Sequence, residues 1–261
     1  MARRSGFRAI VITGASSGLG AALARLYAAP GVTLGLVARN VDRLEAVAAE
    51  CRTGGAAVQS AALDVRDAPL LSRWLEAFDR DAPVDLVIAN AGIESGPPAD
   101  QLVEGLALAS DQVRVNLLGT MNTVEPLLPA LIARGAAHIG LVASVSSYRG
   151  LPYSPGYCAS KAGIRLYGEA LRAALLPSGV KVSVICPGFF ASPMTDRFIG
   201  PHPFEYRLDQ AASIVKRGLD RGQRRIVFPR LLMLGLVCAD LMPAVLGDAI
   251  VRRFHFHIVP G

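Results

Sequence analysis

The sequence predicts a single α/β domain in which helices cover both faces of a doubly wound parallel sheet. Two observations support this prediction. Short apolar runs rich in β-branched residues alternate with helical segments, and a glycine-rich turn follows the first run. A chain of 261 residues, of which 52% are hydrophobic, is large enough for one well-filled core. The sequence shows no internal repeat and no flexible linker, so residues 1–261 are predicted to form one domain.

Predicted strands and helices alternate as far as residue 186. Strands are expected at residues 9–13, 32–38, 57–65, 138–144 and 180–186, and a strand followed by a turn is expected within residues 84–92. Helices are expected at residues 21–30, 40–54, 69–81, 111–134 and 157–176. Since a strand that returns to its sheet through a helix runs parallel to the previous strand, these strands should form a parallel sheet that is buried on both faces.

The positive charge of the chain is concentrated near its C-terminus. Residues 197–261 contain 10 Lys and Arg against 5 Asp and Glu, which gives +5 of the total charge of +6. The four cysteines show no CxxC pair and no metal-ligand spacing with histidine, so free thiols in a reducing compartment are predicted. The apolar run near the N-terminus is too short for a signal peptide, and a cytoplasmic location is expected.

A glycine-rich turn lies between the first predicted strand and the first predicted helix. Gly14, Gly18 and Gly20 have the spacing GxxxGxG in the stretch GASSGLG. Glycines in such a turn let backbone N–H groups and a helix N-terminus approach a pyrophosphate, and Ser16 and Ser17 add hydroxyl groups. Strand, glycine turn and helix together predict a Rossmann-like nucleotide-binding fold, whereas the glycines alone would indicate only a turn.

The end of the second predicted strand indicates which nicotinamide cofactor is preferred. An acidic residue there binds the free ribose 2′-hydroxyl of NAD, whereas an arginine accommodates the 2′-phosphate of NADP. Arg39 follows Ala38, and no carboxylate lies between Gly31 and Val41. The sequence therefore favours NADP(H) over NAD(H), the alternative being that Arg39 only faces solvent.

The segment YCASK places a phenol and an ammonium group one helical turn apart. Tyr157 and Lys161 are four residues apart, so their side chains should lie on one face of the predicted helix. A nearby cation favours phenolate and lowers the pKa of a tyrosine, which can then transfer a proton at working pH. Taken alone, the pair is equally compatible with an ordinary surface helix.

The order and spacing of several motifs resemble those of the classical short-chain dehydrogenase/reductase family. The matching segments are TGASSGLG at 13–20, LDV at 63–65, NAG at 90–92, VRVN ending at Asn116, Ser144 in VASVSS, YCASK at 157–161 and CPG at 186–188. They lie between residue 9 and about residue 195, and Ser144 precedes Tyr157 by thirteen residues. By these motifs the chain is identified as a member of the family.

The resemblance implies roles for four catalytic residues. Tyr157 would be the general acid in carbonyl reduction or the base in alcohol oxidation, and Lys161 would lower its pKa and hydrogen-bond the nicotinamide ribose. Ser144 would hydrogen-bond the substrate oxygen, on which negative charge grows as hydride arrives. Asn116 would hold a water molecule that links Lys161 to solvent.

The resemblance also implies the residues of the cofactor site. They are Gly14, Ser16, Ser17, Gly18, Leu19, Gly20, Arg39, Asp64, Val65, Asn90, Ala91, Gly92, Tyr157, Lys161, Pro187 and Gly188. Asp64 and Val65 would flank the adenine, and Pro187 and Gly188 would approach the nicotinamide. The segment after Gly188 is longer than the commoner family spacing, so a carboxamide contact by Thr195 stays open.

Residues 189–206 are rich in aromatic residues and proline, and the resemblance implies a mobile substrate lid there. The expected substrate-pocket residues are Ser146, Tyr153, Phe189, Phe190, Met194 and Phe198. The apolar members of this set would suit an apolar or lipid-like substrate. The alternative is that they cover the core.

Residues 226–261 form an apolar segment with cationic flanks. Its longest uncharged run, Leu231–Ala239, is far shorter than the ~20 residues of a membrane-spanning helix. The segment is expected to close the substrate pocket, to take part in a homodimer or homotetramer, or to lie on an anionic membrane surface. The basic residues accompany no recognised nucleic-acid-binding motif, so nucleic acid is not an expected partner. His255 and His257 have no third ligand nearby, so no metal is expected.

The sequence therefore predicts an NADPH-dependent oxidoreductase that reduces a ketone on a small, apolar molecule to a secondary alcohol. One alternative is an NAD(P)-dependent alcohol dehydrogenase acting in the oxidative direction. Another is a regulatory protein that binds NADP without turnover, although such a protein would not need the four catalytic residues. A scaffold on a membrane surface is a further alternative, indicated only by the C-terminal segment.

Overall fold

The computed structural model describes residues 6–97, 101–252 and 257–258. The strands in that part of the chain are β1 Ala9–Thr13, β2 Thr33–Ala38, β3 Ala57–Ala62, β4 Leu86–Ala89, β5 His138–Val142, β6 Lys181–Pro187, β7 Phe198–Ile199, β8 Arg225–Phe228 and β9 His257–Ile258. Strands β7 and β9 form a separate antiparallel pair. The others form one sheet in the order β3-β2-β1-β4-β5-β6-β8, in which all neighbours pair in parallel.

Helices cover both faces of this sheet. They are α1 Gly18–Tyr27, α2 Val41–Thr53, α3 Ala68–Asp81, α4 Gly105–Gln112, α5 Gly119–Val124, α6 Leu128–Arg134, α7 Pro155–Leu175, α8 Leu208–Asp220, α9 Arg230–Leu241 and α10 Ala244–Val251. Helices α1, α2 and α8 pack into the core on one face, and α3, α5, α6 and α7 pack into the core on the other. The predicted doubly wound α/β fold is confirmed.

The central strands are buried because helices cover both of their faces. All residues of β1, in the sequence AIVIT, and of β4, in the sequence LVIA, are buried, which explains their continuous apolar runs. The strand order reverses between β1 and β4, since β2 and β3 extend the sheet to one side of β1 and the later strands extend it to the other. Ligands of such sheets bind in the crevice at the carboxyl ends of the strands where the order reverses.

The helix predicted around residues 111–134 is present, but it is not a uniform α-helix. A π-helical turn over residues 113–118 separates α4 from α5, and a short 3-10 turn separates α5 from α6. Pro126 and Pro129 lack the N–H groups that a continuous helix needs there. The π-helical turn matters for the site because it contains Asn116.

One strand ends earlier than the sequence indicates. Strand β3 ends at Ala62 rather than at residue 65, whereas β4 ends at Ala89 and is followed by the turn expected within residues 84–92. The motif residues that follow each strand, LDV after β3 and NAG after β4, leave the sheet as loops. They therefore lie at its carboxyl edge, where the crevice opens.

The last quarter of the chain contains more regular structure than expected. Helix α8 and strand β8 were not predicted, because the cations between residues 216 and 225 interrupt the apolar pattern of both. Helices α9 and α10 pack together, and Arg149 joins them by binding Asp240 at 3.3 Å and Asp248 at 2.5 Å. Within the described residues, no helix is long and apolar enough to cross a membrane. His255 lies outside the described residues.

Candidate active site

A cavity of about 690 Å³ opens at the carboxyl ends of the central strands. Loops that follow β1, β2, β3, β4, β5 and β6 form its wall together with residues of α7 and α9. The predicted residues that line it are Gly14, Ser16, Ser17, Gly18, Leu19, Arg39, Asp64, Val65, Asn90, Ala91, Gly92, Ser144, Ser146, Tyr157, Lys161, Pro187, Gly188, Phe189, Phe190, Met194 and Phe198. Folding therefore brings all the sequence motifs to one cavity.

The glycine-rich turn has the backbone conformation that glycine permits. Gly14 and Gly18 have φ values of 68° and 51°, in the left-handed region. A Cβ at Gly14 would lie 2.8 Å from the Cα of Ala91, so the turn and the loop after β4 are in close contact. Ser17 and Gly18 line the cavity at the first residues of α1, where free backbone N–H groups favour an anion.

Gly20 is not among the residues that line the cavity, and its contact with the cofactor stays a prediction. A Cβ at Gly20 would collide with the carbonyl oxygen of Gly14 and lie 2.5 Å from the side-chain nitrogen of Asn90. Glycine is therefore required at this position so that α1 can pack against the turn.

Two arginines lie at the rim of the cavity after β2. Arg39 and Arg43 are both exposed and both line the cavity. Between them, the side chain of Asn40 accepts a hydrogen bond of 2.8 Å from the backbone N–H of Arg43 and so caps α2. Asp64 faces the same region, but its carboxylate is bound by Arg66, which holds the pKa of Asp64 below its usual value. The rim therefore presents two cations.

Asn90 connects the ends of two strands. Its side-chain nitrogen donates to the carbonyl oxygens of Thr13 at 3.0 Å and Gly14 at 3.3 Å. Its backbone N–H donates to the hydroxyl of Thr13 at 3.2 Å. Asn90 thus holds the glycine-rich turn in place while it lines the cavity.

Ser144 and Tyr157 come from different elements and meet in the cavity. Ser144 follows β5 and caps a short 3-10 turn, where its hydroxyl accepts a hydrogen bond of 3.2 Å from the backbone N–H of Ser146. Tyr157 lies in the first turn of α7, and its phenol lies close enough to the Ser144 hydroxyl for that hydroxyl to lower its pKa. A substrate oxygen placed between the two hydroxyl groups would contact a hydrogen-bond donor and a proton donor.

The structure corrects the expected pKa of Tyr157. Burial raises the pKa of its phenol well above 10, the carboxyl group of Glu94 raises it further, and only the Ser144 hydroxyl clearly lowers it. The physical reason is that moving a phenolate out of water costs more free energy than its interactions with the neighbouring groups supply. Tyr157 is therefore held in its protonated form, which is the form that a general acid needs.

Lys161 is buried below Tyr157 on α7. Its Nζ donates to the carbonyl oxygen of Val142 at 2.9 Å and lies 5.6 Å from the centroid of the Tyr157 ring. Burial lowers the pKa of Lys161 to about 8, while Glu94 acts in the opposite direction. The ammonium group thus lines the cavity with one backbone partner and can donate to another oxygen.

Asn116 lies behind the cavity wall rather than in it. Its side-chain oxygen accepts from the N–H of Ile93 at 2.7 Å, and its nitrogen donates to the carbonyl of Ile93 at 2.9 Å and to the hydroxyl of Ser160 at 3.0 Å. A Cβ at Gly92 would lie 3.2 Å from Asn116 Oδ1 and 3.3 Å from Lys161 Nζ. Asn116 is therefore placed next to Lys161 and fixes the loop between them.

The far side of the cavity is lined largely by apolar side chains. Phe189 stacks on His202 with ring centroids 5.1 Å apart and meets the edge of Phe198 at 5.8 Å. Leu232 and Leu236 of α9 complete this side. The aromatic segment 189–206 and the C-terminal helix α9 thus enclose the same space.

The sequence also raised the question of whether Thr195 and Tyr153 line the cavity. Thr195 does line the cavity, but its hydroxyl is engaged, donating to the carbonyl of Phe190 at 2.7 Å. Tyr153 is not among the residues that line the cavity, and its assignment to the substrate pocket stays a prediction. It has a φ of 75° in the turn before α7.

Several residues of the cavity wall were not singled out from the sequence, and they include Arg43, Glu94, Leu232 and Leu236. Arg43 could have been found, since it lies one helical turn after Arg39 at the start of a predicted helix. Glu94 lies two residues after the NAG motif, but only the structure shows that it is buried, with a hydrogen bond of 3.3 Å from the Ser154 hydroxyl. Burial raises the pKa of Glu94 to about 8.

Within the described ranges, no group of three or more His, Cys, Asp or Glu side chains could hold a metal ion. The thiols of Cys51, Cys158 and Cys186 are buried, that of Cys238 is exposed, and all four are free.

Comparison with known proteins identifies a family. The family model described as short chain dehydrogenase matches residues 8–199. An uncharacterized oxidoreductase of Myxococcus xanthus is 34% identical over 252 residues, which cover 95% of this chain and 97% of that protein. The ketoacyl reductase HetN of a Nostoc species is 34% identical over 184 residues, covering 70% of this chain and 63% of that protein.

A solved structure shows the same architecture. The alcohol dehydrogenase of the archaeon Thermococcus sibiricus, complexed with 5-hydroxy-NADP, superposes with a TM-score of 0.72 at 28% identity. The match covers 85% of this chain and 95% of that one.

Proposed function

Because the chain belongs to the short chain dehydrogenase family and is an oxidoreductase acting on CH–OH or C=O groups, we propose that it reduces a ketone to a secondary alcohol with NADPH. The observation that supports this proposal best is that Ser144 and Tyr157 meet in the wall of one cavity, which Lys161 and the glycine-rich turn also line. A ketone bound at this pair would meet a protonated phenol.

The residues of the cavity fit a nicotinamide dinucleotide. The turn at Gly14 and Gly18 and the N-terminus of α1 would hold the pyrophosphate, since both glycines have the positive φ that side chains disfavour and the helix N-terminus favours an anion. Asp64 and Val65 would flank the adenine, and Pro187 and Gly188 would lie beside the nicotinamide. When bound, the reduced cofactor supplies the hydride, and the protein supplies placement and electrostatics.

Arg39 and Arg43 support a preference for NADP(H). A 2′-phosphate on the adenine ribose would lie close to the end of β2, where the cavity rim carries these two cations and the carboxylate of Asp64 is bound by Arg66. The related alcohol dehydrogenase binds 5-hydroxy-NADP, which agrees with this preference. A guanidinium group can bind a phosphate through two parallel hydrogen bonds.

Each catalytic residue has a distinct proposed role. Ser144 orients the ketone oxygen by a hydrogen bond, and Tyr157 transfers its proton to that oxygen as negative charge develops. Lys161 binds the nicotinamide ribose and stabilises the phenolate that remains. Asn116 positions Ile93 and the loop beside Lys161, and its place in a proton relay to solvent stays a prediction.

The proposed substrate is apolar. Phe189, Phe198 and Met194 of the proposed lid, residues 189–206, face Leu232 and Leu236 across the cavity. The relative named ketoacyl reductase is consistent with a ketone on an aliphatic chain. Since α9 contributes to the cavity, we assign the C-terminal segment to pocket closure.

Two surfaces bear on possible assemblies. Leu166 on α7 is 57% exposed and is consistent with the proposed homodimer or homotetramer. The face of α9 and α10 that points away from the cavity exposes Leu231, Leu234 and Leu241, so peripheral contact with a membrane surface is a second proposal for this segment. The cytoplasmic location stays a prediction.

The cofactor proposal is tested by titrating the protein with NADPH and NADH and following the fluorescence of the reduced cofactor. We expect NADPH to bind more tightly, and Arg39→Ala to weaken NADPH binding roughly tenfold or more without weakening NADH binding. Arg73→Ala, an exposed arginine on α3, is the matched control. Equal affinities for the two cofactors in the wild type would contradict the proposal.

The reaction is tested with the same protein and a panel of apolar ketones, measured as loss of NADPH absorbance. Steady reduction of a ketone supports the proposed direction. Turnover only with secondary alcohols and the oxidised cofactor would instead support an oxidative dehydrogenase. Cofactor binding without turnover in either direction would favour the regulatory alternative.

A further inference from the structure

Beside Ser144 and Tyr157, the cavity wall contains two polar side chains that the reduction of a simple ketone does not use. They are Glu94, which is 7% exposed, and Ser146, which is 4% exposed. The lid hydroxyls are already engaged, since Ser192 and Thr195 bond to each other at 3.0 Å. Most of the other side chains around the substrate space are apolar, so this polar pair requires an explanation.

The hydroxyl of Ser146 is the stronger indication of a ligand. In the described part of the chain, its Oγ is the only buried side-chain nitrogen or oxygen without a hydrogen-bond partner. The thiol of Cys158 lies beside it, but a thiol is a weak partner for a hydroxyl. Buried hydroxyl groups are normally satisfied, so an unsatisfied one in a cavity wall points to a group that the ligand supplies.

Glu94 lies next to the same groups. Its carboxyl group lies close enough to Tyr157, Lys161 and the thiol of Cys158 to raise the pKa of each of them. Glu104 and Arg197 are the other charged groups that act on it. The hydrogen bond from Ser154, at 3.3 Å, is long, so a shorter bond to a ligand can compete with it.

The backbone on both sides of Glu94 is fixed. Asn116 holds both the N–H and the carbonyl of Ile93, at 2.7 and 2.9 Å. On the other side, the N–H of Ser95 donates to the side-chain oxygen of Gln112 at 3.1 Å. The backbone of Glu94 is therefore held in one position before a ligand binds. Such preorganisation is expected of a residue that determines substrate specificity.

The charge state of Glu94 indicates which ligand group it would bind. Because burial raises its pKa to about 8, the carboxyl group is mostly protonated at neutral pH and can donate a hydrogen bond. The Ser146 hydroxyl can also donate. Two neutral donors suit an uncharged acceptor, such as the carbonyl oxygen of an ester or a second ketone.

We propose that Ser146 and Glu94 form a second polar subsite, which binds a carbonyl oxygen close to the ketone that is reduced. This inference rests on the proposed reductase function and narrows its substrates to dicarbonyl compounds such as β-keto esters and 1,3-diketones. A plain alkyl ketone would leave both donors without a partner, which disfavours its binding.

The test compares two molecules of equal length. Ethyl 3-oxooctanoate and undecan-6-one both carry the ketone at the middle of an eleven-atom chain, but only the ester has the second carbonyl. The kcat/KM of the wild type is expected to be at least about tenfold higher for the ester. Ser146→Ala and Glu94→Leu are each expected to lower this ratio severalfold or more. Glu94→Gln, which keeps a donor, should retain most of it.

Controls and a second readout make the outcomes distinct. Ser72→Ala and Glu76→Gln repeat the substitutions on the outer face of α3, where Ser72 bonds to Glu76, and should leave the ratio unchanged. A wild-type ratio near one, or variants that slow both substrates equally, would overturn the subsite while leaving the reductase function intact.

Calorimetric titration of the ester and the ketone in the presence of NADP⁺ measures binding without turnover. Tighter binding of the ester that Ser146→Ala abolishes would support the subsite even if the wild type reduced neither compound. In that case the reductase proposal alone would fail. Equal binding of the two molecules would refute the subsite independently of catalysis.

Discussion

Asn116 forms two hydrogen bonds with the backbone of a single residue, Ile93. Its side-chain oxygen accepts from the N–H of Ile93 at 2.7 Å, and its nitrogen donates to the carbonyl of Ile93 at 2.9 Å. The side-chain amide of Asn116 thus pairs with the backbone as a neighbouring strand would, at the point where the chain leaves β4. Because the loop from Gly92 to Glu94 carries cavity residues, this pairing links the stability of the fold to the shape of the site.

Asn116→Ala should destabilise the protein more than an ordinary asparagine substitution. It leaves a buried N–H and a buried carbonyl unpaired, so we expect the free energy of unfolding to fall by about 2–4 kcal/mol. Urea denaturation followed by circular dichroism measures this change. Asn122→Ala, which removes one bond to the carbonyl of Val65, is the comparison and should cost about 1 kcal/mol. Equal losses would show that the double pairing adds nothing.

Tyr157→Phe should abolish reduction while cofactor binding persists. The phenylalanine keeps the ring beside Lys161 but cannot donate a proton, so kcat is expected to fall by roughly 10² to 10⁴. Stopped-flow measurement with saturating NADPH separates the chemical step from binding. If kcat falls less than tenfold, another group protonates the substrate oxygen.

The pH dependence of stability should contain a contribution from His138. Its ring is buried and bonds to the Ser183 hydroxyl at 2.7 Å, and desolvation lowers its pKa from 6.5 to about 4. The unfolded chain therefore binds a proton that the folded chain does not bind between pH 6.5 and pH 4. The stability that His138 contributes above pH 6.5 is lost as the pH falls through this range, by about 3 kcal/mol in total.

His138→Gln provides the check, because glutamine can still bond to Ser183 but does not titrate. The difference in unfolding free energy between wild type and variant should change by about 3 kcal/mol between pH 7 and pH 4. A constant difference over this range would mean that the buried histidine is protonated in the folded protein.

Two glycine substitutions should have opposite effects. Gly20→Ala places a methyl group against the carbonyl of Gly14, so the glycine-rich turn must shift and NADPH binding should weaken at least tenfold. Gly235 lies inside α9, and a Cβ there would contact nothing within 4 Å. Gly235→Ala should therefore stabilise the protein by about 0.5–1 kcal/mol. Thermal denaturation with and without NADPH measures both effects, and a stabilising Gly20→Ala would contradict the packing argument.

The sequence by itself determined the fold class, the glycine-rich turn and the residues that meet in the cavity. These features depend on local information: apolar runs specify buried parallel strands, and the carboxyl ends of such strands always lie at one edge of the sheet. The family resemblance therefore assigns the motifs after β1, β3, β4, β5 and β6 to one site, and the parallel topology explains why they meet there. The spacing of Tyr157 and Lys161 likewise placed both on one face of α7.

Only the tertiary structure decided how buried each group is and what surrounds it. Burial raises the pKa of Tyr157, although the spacing of Lys161 in the sequence indicated that it would be lowered. The partners of Asn116 and the place of Glu94 in the cavity wall depend on contacts between residues far apart in the chain. Helix α9 reaches the cavity through packing that no local pattern encodes. Desolvation and long-range contacts are properties of the folded chain, and they determine which residues act on the substrate.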